Sequence, residues 1–131
     1  MRKSALLYTA FGLMIILGAL HFTAIEFHFY WTLWWYDLMM HTLGGFIGGL
    51  IILWFLESFD SSKPILLALI SVMIVGILWE IFEYVYDVAQ VADYWWDTIT
   101  DLIADGVGAV LACFYAMSGQ TPKSSLEFPD V

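Results

Sequence analysis

Along the chain, long apolar runs alternate with short polar breaks. Runs near the length that carries a helix across a bilayer occupy about residues 5–25, 34–56, 65–86 and 97–117. They predict an all-α, polytopic membrane fold of four transmembrane helices, because a helix satisfies its backbone hydrogen bonds within itself in hydrocarbon. The polar turn Glu57-Ser58-Phe59-Asp60-Ser61-Ser62-Lys63-Pro64 separates the second and third runs. In it Ser61 or Ser62 is placed to cap, and Pro64 suits a first helical turn. Between the first two runs, residues 26–36 are too aromatic for a watery loop and read as a segment in the headgroup region. From Gly119 onward, with Pro122 and Pro129, the composition predicts a polar, disordered cytoplasmic tail. The expected organisation is one transmembrane domain over 1–118 and a tail over 119–131. Met1-Arg2-Lys3 resembles the start of a signal peptide, but the long apolar core and the lack of a small-x-small pair favour an uncleaved anchor.

Composition makes lipid the natural solvent for this surface. The 131 residues are 62% hydrophobic and 13% charged, where a soluble domain is about half apolar and a quarter charged. Four Lys and Arg cannot build a phosphate-binding surface, which excludes a nucleic-acid partner and leaves membrane lipids as the expected surroundings. Cys113, the single cysteine, lies in an apolar run and reads as a small buried residue.

The basic residues set an expected orientation. Arg2 and Lys3, Lys63, and Lys123 fall on one side of a four-span chain. The positive-inside rule makes that side the cytoplasm, with both termini inside a multi-pass cell-membrane protein. There Glu57, Asp60, Glu127 and Asp130 cancel the four bases. The formal charge of -9 therefore belongs to Glu26, Asp37, Glu80, Glu83, Asp87, Asp93, Asp97, Asp101 and Asp105, all in the outer half.

Helical spacing gathers most of these acids on defined faces. Asp37 and His41 are four apart and share a face. Glu80, Glu83 and Asp87 form one stripe of the third helix, and Asp97, Asp101 and Asp105 a second stripe on the fourth. With Asp37, Asp87 and Asp97 at the outer boundary, a rise of about 1.5 Å per residue puts His41, Glu83 and Asp101 about 6 Å deep. Glu80 and Asp105 then lie about 10 to 12 Å deep. Ionisable groups at such depth cost several kcal/mol each unless paired or hydrated, so they mark functional sites. Carboxylates facing one another can share a proton, or a divalent cation can offset them. Carboxylates with one imidazole suit Zn²⁺, Mn²⁺ or Fe²⁺, and an all-oxygen subset suits Mg²⁺ or Ca²⁺. The pattern is similar to carboxylate-bridged sites in helix bundles, although Glu-x-x-His is absent.

In the resulting assignment, His41, Glu83 and Asp101 are metal ligands, Asp37 and Asp97 are outer or second-metal ligands, and Glu80 or Asp105 is a general base. His21 and His28 read as interfacial packing residues, and Glu26 and Asp93 as solvated loop charges. Trp79 and Trp96 adjoin acids and are candidates to wall the site. Gly44, Gly45, Gly48 and Gly49, with Gly106 and Gly108, permit close helix approach, including a homo-oligomer through glycine-rich faces.

Taken in order, Asp37-x-x-x-His41 with Gly45-Phe46, Glu80-x-x-Glu83, and Trp96-Asp97-Thr98-x-x-Asp101 leading to Gly108-Ala109 resemble the YjdF-like family of small bacterial integral membrane proteins. They are more distantly similar to VanZ-like proteins. The resemblance covers roughly residues 34–112 and implies a membrane bundle with shared polar residues rather than a particular reaction. Three function classes stay open at this point. The first is a metal-dependent hydrolase or transferase acting on a lipid-linked or headgroup substrate, the second a cation or proton transporter subunit, and the third a non-catalytic membrane scaffold.

Overall fold

The computed structural model describes residues 3–57, 63–86 and 93–118. Five helices follow one another among them: α1 Lys3–Glu26, α2 Phe29–Thr32, α3 Tyr36–Glu57, α4 Pro64–Tyr86 and α5 Tyr94–Ser118. All but α2 are long and apolar enough to cross a membrane. The protein is an all-α polytopic membrane bundle. Asp87 and the tail from residue 119 lie outside the described residues.

The helices differ in how much of themselves they bury. Within the most apolar window of each, 11% of α1 is buried inside the chain but 39% of α5. Helix α5 packs most extensively on α3, α4 packs against both, and α1 leans on α3. Large side chains such as Phe11, Ile74, Leu78 and Phe114 remain outside. That distribution suits lipid, where van der Waals packing and polar contacts rather than water expulsion hold helices together.

Small residues make the α3–α5 seam. A Cβ added at Gly45 would collide with the Asp105 backbone, and one at Gly108 with Thr42 O and Phe46 N. A Cβ at Gly49 would stand 2.7 Å from that of Ala112. The glycine face is thus occupied by α5 of the same chain, while Gly44 has open space around it. Leu6, Ala10, Ile47, Leu50, Leu53, Ala68, Ala112 and Cys113 form an apolar core that continues the seam.

The aromatic connection contains a short helix that hydropathy alone does not separate. His28 turns the chain between α1 and α2 with φ 58, the one non-glycine residue with positive φ among those described. His is among the residues that tolerate this left-handed region. The reversal lays Phe29 and Tyr30 against Tyr36, with ring centroids 5.4 and 5.5 Å apart. Tyr36 then donates to Leu20 O at 3.0 Å, pinning the start of α3 to α1.

Candidate intramembrane cation site

The acidic faces of α3, α4 and α5 converge near the N-terminal ends of α3 and α5 and the C-terminal end of α4. His41, 9% exposed, is at the centre. Its Nδ1 lies 3.3 Å from Asp105 Oδ1, and its Nε2 lies 3.9 Å from Asp37 Oδ1. Two sets of potential ligand atoms surround it, each set within 4.8 Å: one from Asp37, His41 and Asp101, the other from His41, Glu80 and Glu83. His41 belongs to both sets, Asp101 to one and Glu83 to the other.

The acids sit in unequal surroundings. Asp101 is 1% exposed, Glu80 4% and Asp105 7%, whereas Asp37, Glu83 and Asp97 are half-buried. Asp97 belongs to neither set. Thr98 Oγ1 donates to Glu80 Oε2 at 2.7 Å, and the Tyr94 hydroxyl donates to the Glu80 carbonyl. These two bonds tie the N-terminal end of α5 to α4. Glu80 Oε1 and Asp101 Oδ2, both buried, have no hydrogen-bond partner. None of α3, α4 or α5 contains a Lys or Arg. A buried, unpartnered carboxylate oxygen costs free energy that a hydrogen bond or cation would recover.

Thr98, Tyr94 and Gly76 are site residues that sequence reasoning missed. Thr98 shares the inward face of α5 with Asp101, which is a weak signal by spacing. Gly76 touches the Asp105 carboxylate from α4, and nothing in the local sequence marks that contact. Trp96 is 67% exposed, whereas Trp79, 47% exposed, has its indole within hydrogen-bonding reach of Glu83 at the edge of the cluster. Asp93 does more than carry a loop charge, because its Oδ1 accepts from Trp96 N at 3.3 Å and caps the start of α5. His21 Nδ1 and the Tyr30 hydroxyl are 2.8 Å apart, joining α1 to α2. Burial, with Asp37, Tyr36 and Glu83 adding to it, pushes Tyr30 up to about 12. It stays a neutral hydroxyl beside the acids.

Residues 2–120 match the model of a family described as predicted membrane protein (DUF2238). The chain belongs to that family. No curated protein and no solved structure matches the chain. Membership agrees with a chain of four candidate membrane spans and assigns no chemistry, so chemical inference rests on the cluster itself.

Proposed function

We propose that the protein holds one divalent cation within the membrane, between α3, α4 and α5, at a site open toward the outer face. The observation that carries this is the pair of buried, unpartnered oxygens, Glu80 Oε1 and Asp101 Oδ2, on residues that each fall in a potential ligand set with His41. Asp37, His41, Glu83 and Asp101 supply the donors, Glu80 Oε1 is left free beside them, and Asp97 remains a candidate only as an outer ligand. One imidazole among carboxylates favours Zn²⁺, Mn²⁺ or Fe²⁺ over Mg²⁺. The ordered motifs support a likeness to the YjdF-like proteins, and the basic residues support a topology with both termini in the cytoplasm.

The chemistry we propose is hydrolysis or group transfer on a lipid-linked or headgroup substrate. A metal-bound water supplies the nucleophile in such sites, and Glu80 is the buried acid positioned as general base. A groove of about 310 Å³ on the lipid side of the α3–α5 seam supports a lipid substrate. Leu38, Thr42, Thr100, Ile103, Ala104 and Val107 line it, next in sequence to Asp37, His41, Asp101 and Asp105. Transport is less well supported, because the apolar core around Leu50 and Ala112 offers no polar path inward.

Metal analysis of detergent-purified protein tests the site. About one divalent ion per chain is expected after gel filtration, with His41→Ala and Asp101→Asn each losing it. Wild-type protein that emerges metal-free and gains no stability from added Zn²⁺ or Mn²⁺ would leave shared protons as the means of charge balance.

A further inference from the structure

Asp105 lies against His41 but belongs to neither set of ligand atoms. Its Oδ1 is 3.3 Å from His41 Nδ1, and a Cβ built at Gly76 would stand 2.5 Å from its Oδ2. One oxygen therefore meets the imidazole and the other is walled by the bare Cα of Gly76. Gly45 packs directly on the Asp105 backbone, so three helices hold this carboxylate in place.

Such an environment suits holding a ring rather than exchanging protons with a substrate. A carboxylate that accepts from one imidazole nitrogen fixes the tautomer and leaves the lone pair on the other. In His41 the other nitrogen is Nε2, which faces Asp37. Resting on the cation-site reading above, we infer that Asp105, backed by Gly76, is a positioning residue that accepts from His41 Nδ1–H and aims the Nε2 lone pair at the cation.

Two consequences follow for the site. Asp105 is not the general base that its depth on α5 led us to expect, which leaves Glu80 in that role. The two donor sets also share a single available nitrogen. They therefore describe one ion with alternative oxygen donors from α3 and α5 or from α4.

The test is ¹⁵N NMR of imidazole-labelled protein in micelles, with His41 assigned by the His41→Ala difference, at a pH where the ring is neutral. Nδ1 is expected to be protonated and Nε2 bare, and Zn²⁺ is expected to shift the Nε2 signal. In Asp105→Asn the tautomers mix and Zn²⁺ binds about 10- to 100-fold more weakly. Gly76→Ala, which leaves Asp105 in the sequence, moves both readouts in the same direction. A bare Nδ1 in the wild type, or unchanged Zn²⁺ affinity in Asp105→Asn, would overturn the inference. Should wild-type protein bind no Zn²⁺, the cation reading fails, and the His41 tautomer still decides whether Asp105 positions the ring.

Discussion

Thr98 Oγ1 donates to Glu80 Oε2 across the α4–α5 contact, and Thr100 Oγ1 donates to the carbonyl of Asp97 in its own helix at 2.8 Å. The two threonines are two positions apart and do different work. Thr98→Val leaves a second Glu80 oxygen unsatisfied in a buried place, at a cost of about 1–3 kcal/mol. Thr100→Val removes only a local bond and is expected to stay within about 0.5 kcal/mol. Thermal melts of the two variants in the same detergent check this, and equal effects would deny Glu80 its dependence on Thr98. At this scale the sequence showed which residues are chemically unusual, since acids in apolar runs stand out. Their partners were not visible, because a side chain's rotation about its helix relative to a neighbouring helix is set by packing. Asp105 illustrates this. The Cα–Cβ bonds of a helix tilt toward its N-terminus, which on α5 is the end where the site lies. The tilt carries the Asp105 carboxylate up toward His41 even though its backbone is level with Gly45.

Helices α3 and α5 approach closely because each presents glycine where the other presents backbone. Gly45→Ala places a Cβ into the Asp105 backbone, which has no flexible end to move aside. Overpacking of this kind costs about 1–3 kcal/mol, and it should also weaken metal binding by displacing Asp105. Gly44→Ala meets nothing within 4 Å and is expected to be neutral or to stabilise by about 0.5–1 kcal/mol through helix propensity. Melting temperatures and Zn²⁺ titrations of the two adjacent variants read the contrast. An equal loss in both would mean that the seam is looser than described. The existence of the four long helices was legible because hydropathy over about 20 residues averages many side chains. The four-residue helix α2 was not, since its formation depends on the left-handed turn at His28 and on rings from α1 and α3. The glycines announced close packing, but only the fold shows that the partner is α5 of the same chain.

Across the whole molecule, the acids on α3, α4 and α5 form one charged region against an apolar remainder. A ligand bound only by the folded state stabilises it by about 2.7 kcal/mol at a concentration 100 times its dissociation constant. The bound cation is therefore expected to raise the melting temperature of the wild type, and not that of a Glu80→Gln/Asp101→Asn double variant. In metal-free buffer the double variant should melt higher than wild type, because two buried carboxylates without counter-charge are gone. Scans with and without a chelator measure both effects. Orientation is tested separately: a cysteine introduced at Lys63 should react with an impermeant thiol reagent only from the cytoplasmic side. Labelling from outside would reverse the proposed topology.

The sequence by itself determined the solvent and the number of long helices, and it grouped the acids of each helix on one face. Each of these follows from hydrophobicity, length and spacing along a single helix, which are local quantities. Tertiary structure alone decided that Asp37 rather than Asp97 joins His41 and Asp101, that Thr98 serves Glu80, and that Gly76 backs Asp105. Those pairings depend on how helices are rotated and pressed together, and such contacts arise only when distant segments meet.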